Sequence, residues 1–371
     1  KLHCNQTNKD FYAATVLDSV TFAAGQAVFN TLNLDLQSGH NYLWVSYDID
    51  ADAIHNHQAD AMLQAGSISI GTGNYPASPA SPAGSRSIQE AVFYDDFSGD
   101  KGWILAGDFQ RDRPRGLGGQ FLGNPDPLYA SGDTMILGTD LTGLGSNLGD
   151  YEGSVAKYAN LATSPDFNLF YYNEVKLNFL RWLNVANNDT ASIEMSVDGG
   201  SSWAEIWSNS NNVYADGQWK LTTLDIPDAR GNSQVNLRFN LGPTTFTDHL
   251  SGWNIENFAI TGNYVDYDVS PTLLLGPESG CGLSSAETVS IRVENLGPAA
   301  TPDGIPVRYS FDGGSSFSLD TIWGAIPLAG QRDFDFTETI DLSSPGEYHV
   351  IIETNLGVDE EPANDVLDTI L

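Results

Sequence analysis

Cysteine is nearly missing from this 371-residue chain: the two that occur, Cys4 and Cys281, stand far apart and fall in different predicted modules. That spacing excludes a readable disulfide framework and a thiolate metal site. Basic residues are scarce too. Sixteen Lys and Arg face 48 Asp and Glu, and the resulting net charge of −32 repels phosphate backbones and anionic lipid heads. Nucleic acid is therefore not an expected partner. No apolar run approaches the ~20 residues that span a bilayer, so membrane insertion is not expected either. The start, Lys1-Leu2-His3-Cys4, has no initiator methionine and no signal peptide. The chain reads as an internal or processed piece, with room for a catalytic domain or a sorting signal outside it. Segments of helical period are also absent, which excludes a helical bundle.

What is present is a folded composition, 41% hydrophobic and 11% aromatic, so the 17% charged fraction does not signal disorder. The length suits two to four domains, with three as the working number. Short runs rich in Val, Ile, Thr, Phe, Tyr and Trp alternate with Gly, Asn, Asp and Pro clusters, the pattern of an all-β protein. The expected architecture is tandem β-sandwiches: immunoglobulin-like, jelly roll, immunoglobulin-like. The first module covers residues 1–84, with strands at 43–49 and 67–70, a loop or brief helical turn over 52–64, and a Pro/Ala/Ser linker at 75–84 whose composition favours an extended, semi-rigid backbone. The second, 93–264, carries most of the tryptophans and has strands at 174–182 and 234–239. The third, 266–371, has some seven short strands, alternating ones at 271–275, 289–293, 307–311 and 348–352 among them, as suits an immunoglobulin-like sandwich.

Two segments repeat one pattern: Ser196-Val197-Asp198-Gly199-Gly200-Ser201-Ser202-Trp203 and Ser310-Phe311-Asp312-Gly313-Gly314-Ser315-Ser316-Phe317. Both resemble the Asp box of sialidase propellers, a tight hairpin in which a carboxylate accepts turn amides, glycines supply positive φ and the aromatic packs beneath. Two copies more than 100 residues apart do not make a propeller, so they read as structural turns. His55 and His57 form a possible metal pair without a third ligand and read as loop residues. No Gly-x-Ser-x-Gly elbow, Cys–His pair or His-Glu-x-x-His helix occurs, and no pattern singles out two carboxylates as a glycosidase pair. The chain is not expected to be an enzyme.

The acidity has two compatible readings, solubility in a salty medium and calcium sites built from carboxylate oxygens. The more specific cluster is Asp95-Asp96 on the first strand of the middle module, Gly123-Asn124-Pro125-Asp126-Pro127, Ser131-Gly132-Asp133, and Trp253-Asn254-Ile255-Glu256-Asn257 near its last strand. First and last jelly-roll strands can lie side by side. Asp95, Asp96, Asp126 and Glu256 are accordingly the candidate ligands of a structural calcium, against the alternative of solvated surface acids. The run Asp359-Glu360-Glu361-Pro362-Ala363-Asn364-Asp365 reads as a charged turn. Trp103, Trp203, Trp207, Trp219 and Trp253 are candidates for stacking on sugars, weighed against burial in the core.

The middle module resembles the MAM-like jelly rolls of secreted Bacteroidetes proteins and the cleaved-adhesin modules of gingipain-type proteins. The matching residues include Asp95-Asp96-Phe97, Gly102-Trp103, Gly123-Asn124-Pro125-Asp126-Pro127, Gly138-Thr139-Asp140, Leu180-Arg181-Trp182 and Gly252-Trp253-Asn254-Ile255-Glu256. Members of that family more often carry an Asp pair where Glu256-Asn257 stands. Residues 1–84 resemble the N-terminal sandwich of bacterial sialidases, and the tail resembles adhesion-type immunoglobulin-like repeats. The order of modules is similar to substrates of the type IX secretion pathway. The resemblance implies a secreted or outer-surface setting and a segment of a large adhesin, acting in attachment or spacing; the acidic cluster adds the expectation of a calcium-stabilised jelly roll. Its partners would be a glycan or protein on another cell surface, or neighbouring modules of the same long chain. The alternative it implies is an accessory region of a secreted peptidase or sialidase.

Overall fold

A computed structural model describes the whole chain except residues 10, 12, 13, 24, 31, 33, 50–56, 82, 89, 90, 121 and 131–134. The described residues form strands and two single-turn 3₁₀ helices, and the protein is a tandem of β-sandwiches. Two compact units are present: Lys1–Asn168 with Glu174–Gly262, and Leu169–Asn173 with Asn263–Leu371.

Within the first unit, the middle of the chain builds two facing sheets. One runs Phe109–Asp112, Ile136–Thr139, Gly252–Tyr264, Tyr172–Val185 and Tyr214–Ala215, with Lys220–Asp225 also on Tyr172–Val185 and Ala91–Asp95 also on Gly252–Tyr264. The other runs Ala204–Ser208, Ala191–Ser196, Asn236–Leu241, Asn160–Thr163 and Ile104–Ala106. Period-2 alternation sorts their faces. Leu177 and Phe179 from one sheet meet Ile193, Leu237, Phe239 and Leu241 from the other, all fully buried. Phe239 sits at the centre, with ring centroids 5.3 Å from Phe179 and 5.3 Å from Trp253 in edge-to-face geometry.

The strand Gly252–Tyr264 departs from simple alternation in a way that matters for the site. Trp253 and Ile255 point into the core, then Asn257 takes a positive φ of 52°, and Phe258 and Ile260 are again buried. That break shifts the core-facing positions from one residue parity to the other. Asn254 and Glu256 therefore face the opposite side of the sheet from Trp253, yet both are fully buried. A second, smaller apolar cluster made of Ile136, Leu141, Leu180 and Trp219, with Ala130 and Trp182 against it, accompanies the main core.

The N-terminal residues contribute a three-stranded sheet, Thr15–Asp18, Leu2–Asn5 and Tyr42–Val45, and two short hairpin pairings, Gln58–Ala59 with Arg86–Ser87 and Ile68–Ile70 with Gly73–Tyr75. Two expectations need correction. The stretch 52–64 includes a short strand at Gln58–Ala59 rather than only a loop or helical turn, residues 52–56 lying outside the described ones. The Pro/Ala/Ser stretch, expected as a semi-rigid linker, is hydrogen-bonded to the residues before it: Ala80 exchanges both main-chain hydrogen bonds with Leu63, at 2.8 and 2.9 Å, and Pro76 accepts from the Gly66 amide. Extended backbone favoured by the prolines leaves the Ala80 N–H and C=O free to pair, and they do.

The second unit has a three-stranded sheet, Val269–Gly276, Glu287–Asn295 and Gln331–Ile340, and a four-stranded sheet, Ser318–Ile322, Ile305–Ser310, His349–Thr354 and Val366–Ile370. Val289, Ile291 and Val293 from one and Val307, Tyr309, Val350 and Ile352 from the other share one core. Tyr309 and Phe336 pack edge to face at 4.7 Å.

Candidate functional site

The polar groups with the most unusual surroundings lie where the loop Gly123-Asn124-Pro125-Asp126-Pro127 meets the seven-stranded sheet. Gly123 turns the chain at φ 76°, and a side chain there would run into Asn184 and Leu250. The loop is then fastened at each step. The Asn124 amide donates to Asn184 Oδ1 at 2.8 Å, Trp182 Nε1 donates to the Pro125 carbonyl at 3.0 Å, and Ser251 Oγ donates to the Asn124 carbonyl at 3.1 Å. Asn254 Nδ2, brought to this face by the break at Asn257, donates to Asp126 Oδ1 at 2.7 Å.

That leaves one oxygen of each residue without a hydrogen-bond partner: Asp126 Oδ2 and Asn254 Oδ1, both buried. Asp126 is 2% exposed and Asn254 0%. Burial pushes the Asp126 carboxyl well above the ordinary range, and the charges of Asp140 and Asp150 push it further. Those two acids have their own duties. Asp140 accepts from the amides of Leu144 and Gly149, and Asp150 accepts from the Gly119 amide at 2.7 Å, so each closes a loop.

The other candidate ligands are placed differently. The first strand, Ala91–Asp95, does pair antiparallel with the last, Asp95 opposite Phe258. Residues directly opposite share a face, so Asp95 lies on the side of core residue Phe258, whereas Asn254 and Glu256 lie on the other. Both Asp95 oxygens are engaged, one by the Phe97 amide at 2.8 Å and one by Trp103 Nε1 at 2.9 Å, and burial raises its pKa. Asp96 caps the next turn through the Ser98 hydroxyl and amide, which lower its pKa. Glu256 is buried in the last strand. Among the described residues no group of three or more His, Cys, Asp or Glu converges as a metal site. The four candidates thus divide between two faces, and only Asp126, with Asn254, presents open buried oxygens. Asp133 and His55 lie outside the described residues; His57 is exposed.

Most of the aromatic candidates are packed. Trp253 and Trp219 are buried, Trp103 lies among Phe97, Phe239 and Phe258, and Trp207 lies against Tyr214 and Trp253. Trp203 stacks on the Arg238 guanidinium, 4.1 Å from its ring centre. The two Asp-box turns match almost bond for bond. Asp198 accepts from Ser202 N, Ser202 Oγ and Ser196 Oγ at 2.8, 2.6 and 2.7 Å; Asp312 accepts from Ser316 N, Ser316 Oγ and Ser310 Oγ at 2.9, 2.6 and 2.7 Å. These hydroxyls hold both carboxyls down at about 2. The aromatic of each turn lies on an arginine, Trp203 on Arg238 and Phe317 on Arg308. The arginine pairs with a glutamate on the adjacent strand, Arg238 with Glu194 and Arg308 with Glu353, with the two signs exchanged between strands.

In the second unit the acids at 359–365 are more than a charged turn. Asp359 accepts from the Val269 and Glu361 amides at 2.7 and 2.8 Å, and Asp365, beside it, is pushed up to about 6 by burial and by the Asp359 charge.

Sequence reasoning missed Asn254 as a partner of Asp126, and Asp140 and Asp150 as its charged neighbours. Asn254 and Asp140 both stood inside motifs already noted; nothing in the sequence marked Asp150.

No protein-family model and no curated protein matches the chain. Solved structures give only distant likenesses. The K3 cleaved adhesin domain of Lys-gingipain from Porphyromonas gingivalis is 15% identical over 47% of this chain and 99% of that one, with a TM-score of 0.29. The K2 cleaved adhesin domain of Lys-gingipain is 14% identical over 46% and 98%, with a TM-score of 0.28. The glycoside hydrolase domain of Endo-D from Streptococcus pneumoniae is 12% identical over 72% of this chain and 36% of that one, at 0.25. The chain spans about a third of that hydrolase structure. Likenesses of this size fix neither family nor activity.

Proposed function

We propose that this chain is a non-catalytic, multidomain segment of a secreted or outer-surface protein, serving in attachment or as a spacer. The observation that carries this reading is the use made of the acids. Asp95, Asp140, Asp150, Asp198, Asp312 and Asp359 each accept main-chain amides of a turn or loop. A carboxylate occupied in this way holds a loop end in place and is poorly free to move a proton. The net charge of −32 keeps the sandwiches apart from phosphate-rich polymers and in solution.

Calcium belongs to the same proposal in a narrower form. Asp126 Oδ2 and Asn254 Oδ1 fit a hard cation, because each is a buried oxygen that lacks a donor. Asp95 does not fit, since the Phe97 amide and the Trp103 indole occupy both its oxygens, and Asp96 is a half-exposed turn cap with Oδ1 taken by Ser98. A bound cation there would neutralise the buried Asp126 charge and pin the covering loop to the sheet. The test of the main reading is retention of the fluorescently labelled chain on intact bacterial and host cells. Saturable binding that unlabelled chain competes away supports attachment; no retention on any surface leaves only spacing.

A further inference from the structure

Cations are so few here that their distribution carries information. Outside one stretch no two Lys or Arg stand closer than five residues, yet Arg111, Arg113 and Arg115 fall at alternate positions within five. They lie on and just beyond Phe109–Asp112, the terminal strand of the seven-stranded sheet, which pairs with Ile136–Thr139 on one side and, among the described residues, has no sheet neighbour on the other. Arg113 precedes Pro114, which favours extended backbone there and continues the strand's direction. Arg111 is half-buried and donates to the Phe97 carbonyl at 3.4 Å. Arg113 is exposed and makes no ion pair among the described residues. Arg115 is half-exposed, with only a loose 3.5 Å contact to Asp112. The Leu128 side chain lies over Gly116, whose amide donates to the Pro127 carbonyl at 3.1 Å. Leu128, 73% exposed, and Tyr129, 54% exposed, thus extend the same surface.

We infer that this edge, Phe109–Asp112 continued through Arg113 and Arg115, docks an extended acidic segment of a partner protein that adds as a further strand. Alternate residues of an extended chain recur at ~6.6 Å, so carboxylates at every second position of an added strand meet arginines at every second position of this one. Main-chain pairing is confined to Phe109–Asp112, because beyond it the Arg113 amide is held by Asp112 Oδ1 and Pro114 has no N–H; the arginines supply register and sign, and Leu128 with Tyr129 supplies apolar contact beside them. The chain's overall charge of −32 repels an acidic partner everywhere else, so it also sets the direction of approach. The inference names a partner class for the attachment reading and rests on that reading for its setting.

The experiment uses the full chain and a fluorescein-labelled dodecapeptide of alternating Glu and Thr, read by anisotropy. Its controls are an isomer with the six Glu in one block, a version N-methylated at alternate amides, and polygalacturonate as a carboxylated glycan. The alternating peptide is expected to bind at least about tenfold more tightly than either peptide control, and to lose about tenfold in Arg113→Glu/Arg115→Glu but not in Lys157→Glu. The milder Arg113→Gln/Arg115→Gln, with a melt matching the parent, guards against misfolding. Equal binding of the peptide isomers, tolerance of N-methylation, tighter binding of polygalacturonate at the same arginines, or no binding at all would each overturn the strand inference. Cell retention unchanged in Arg113→Glu/Arg115→Glu would also overturn it while leaving the attachment reading standing.

Discussion

Replacing Asp126 by Asn reverses the usual expectation that removing a buried charged group destabilises a protein. In the folded state Asp126 is 2% exposed, one of its oxygens takes a hydrogen bond from Asn254, and the other has no donor, while Asn254 Oδ1 also has none. An amide at position 126 keeps the acceptor for Asn254 Nδ2 and removes the unpartnered buried charge. Relieving an unsatisfied buried group of that kind is worth about 1–3 kcal/mol. The pH dependence has a definite sign. A carboxyl whose folded pKa is raised contributes stability below its unfolded value near 4, and loses it as pH rises through the folded value. With chelator present, the parent should therefore lose stability from about pH 4 upward through this group, and Asp126→Asn should remove that slope. At pH 7.5 with chelator, the variant should melt higher by roughly 2–12 °C, taking about 2–4 °C per kcal/mol for a unit of this size. Excess calcium should raise the parent and leave the variant unmoved. Differential scanning calorimetry at pH 5 and 7.5, with and without calcium, reads all of this. A variant that melts lower than the parent in chelator would refute the reasoning, because it would mean that the carboxylate is already satisfied as an anion.

Four further outcomes follow from the same geometry. Asp365→Asn keeps the acceptor for Thr354 Oγ1 and removes a carboxyl pushed up to about 6, so it should stabilise the second unit at pH 7.5 by about 1–2 kcal/mol after solvent screening, and by little at pH 4, as read by urea melts. Asp312→Ala should lower the second unit's melting temperature at pH 7, and the difference should shrink as pH falls toward 2, where the parent carboxyl loses its charge. Arg308→Glu and Glu353→Arg should each destabilise by about 1 kcal/mol, and the double exchange should recover most of the loss, because the Glu194–Arg238 pair carries the signs in the opposite order under the same turn; a double-mutant cycle measures it. Phe239→Ala should cost about 3–5 kcal/mol in chemical denaturation, since its ring is fully buried against Phe179, Trp253 and Phe258.

The all-β class and the long strands of the middle and last modules were legible because two-residue alternation is a local signal: 174–182 lies inside Tyr172–Val185 and 289–293 inside Glu287–Asn295. The Asp-box turns were legible because every group they use lies within eight residues. The site was harder. Reading Asp95 and Glu256 together required only that first and last strands adjoin, which they do, but the face each residue occupies depends on the backbone break at Asn257. A single non-glycine residue at positive φ leaves no trace in a hydrophobicity pattern. Asp140 and Asp150 act on Asp126 through space from loops closed by their own hydrogen bonds, and that proximity is tertiary. The proline-rich stretch misled because composition reports extended backbone without saying whether a neighbouring strand pairs with it.

The most direct measurement for the central claim is mass spectrometry of surface glycans and proteins from intact cells incubated with the purified chain, alongside the amount of chain retained. Attachment without chemistry predicts saturable retention on the surface with every bound glycan and protein at its original mass. Cleaved products that increase with time and with chain concentration, and that vanish when the chain is heat-denatured, would contradict it.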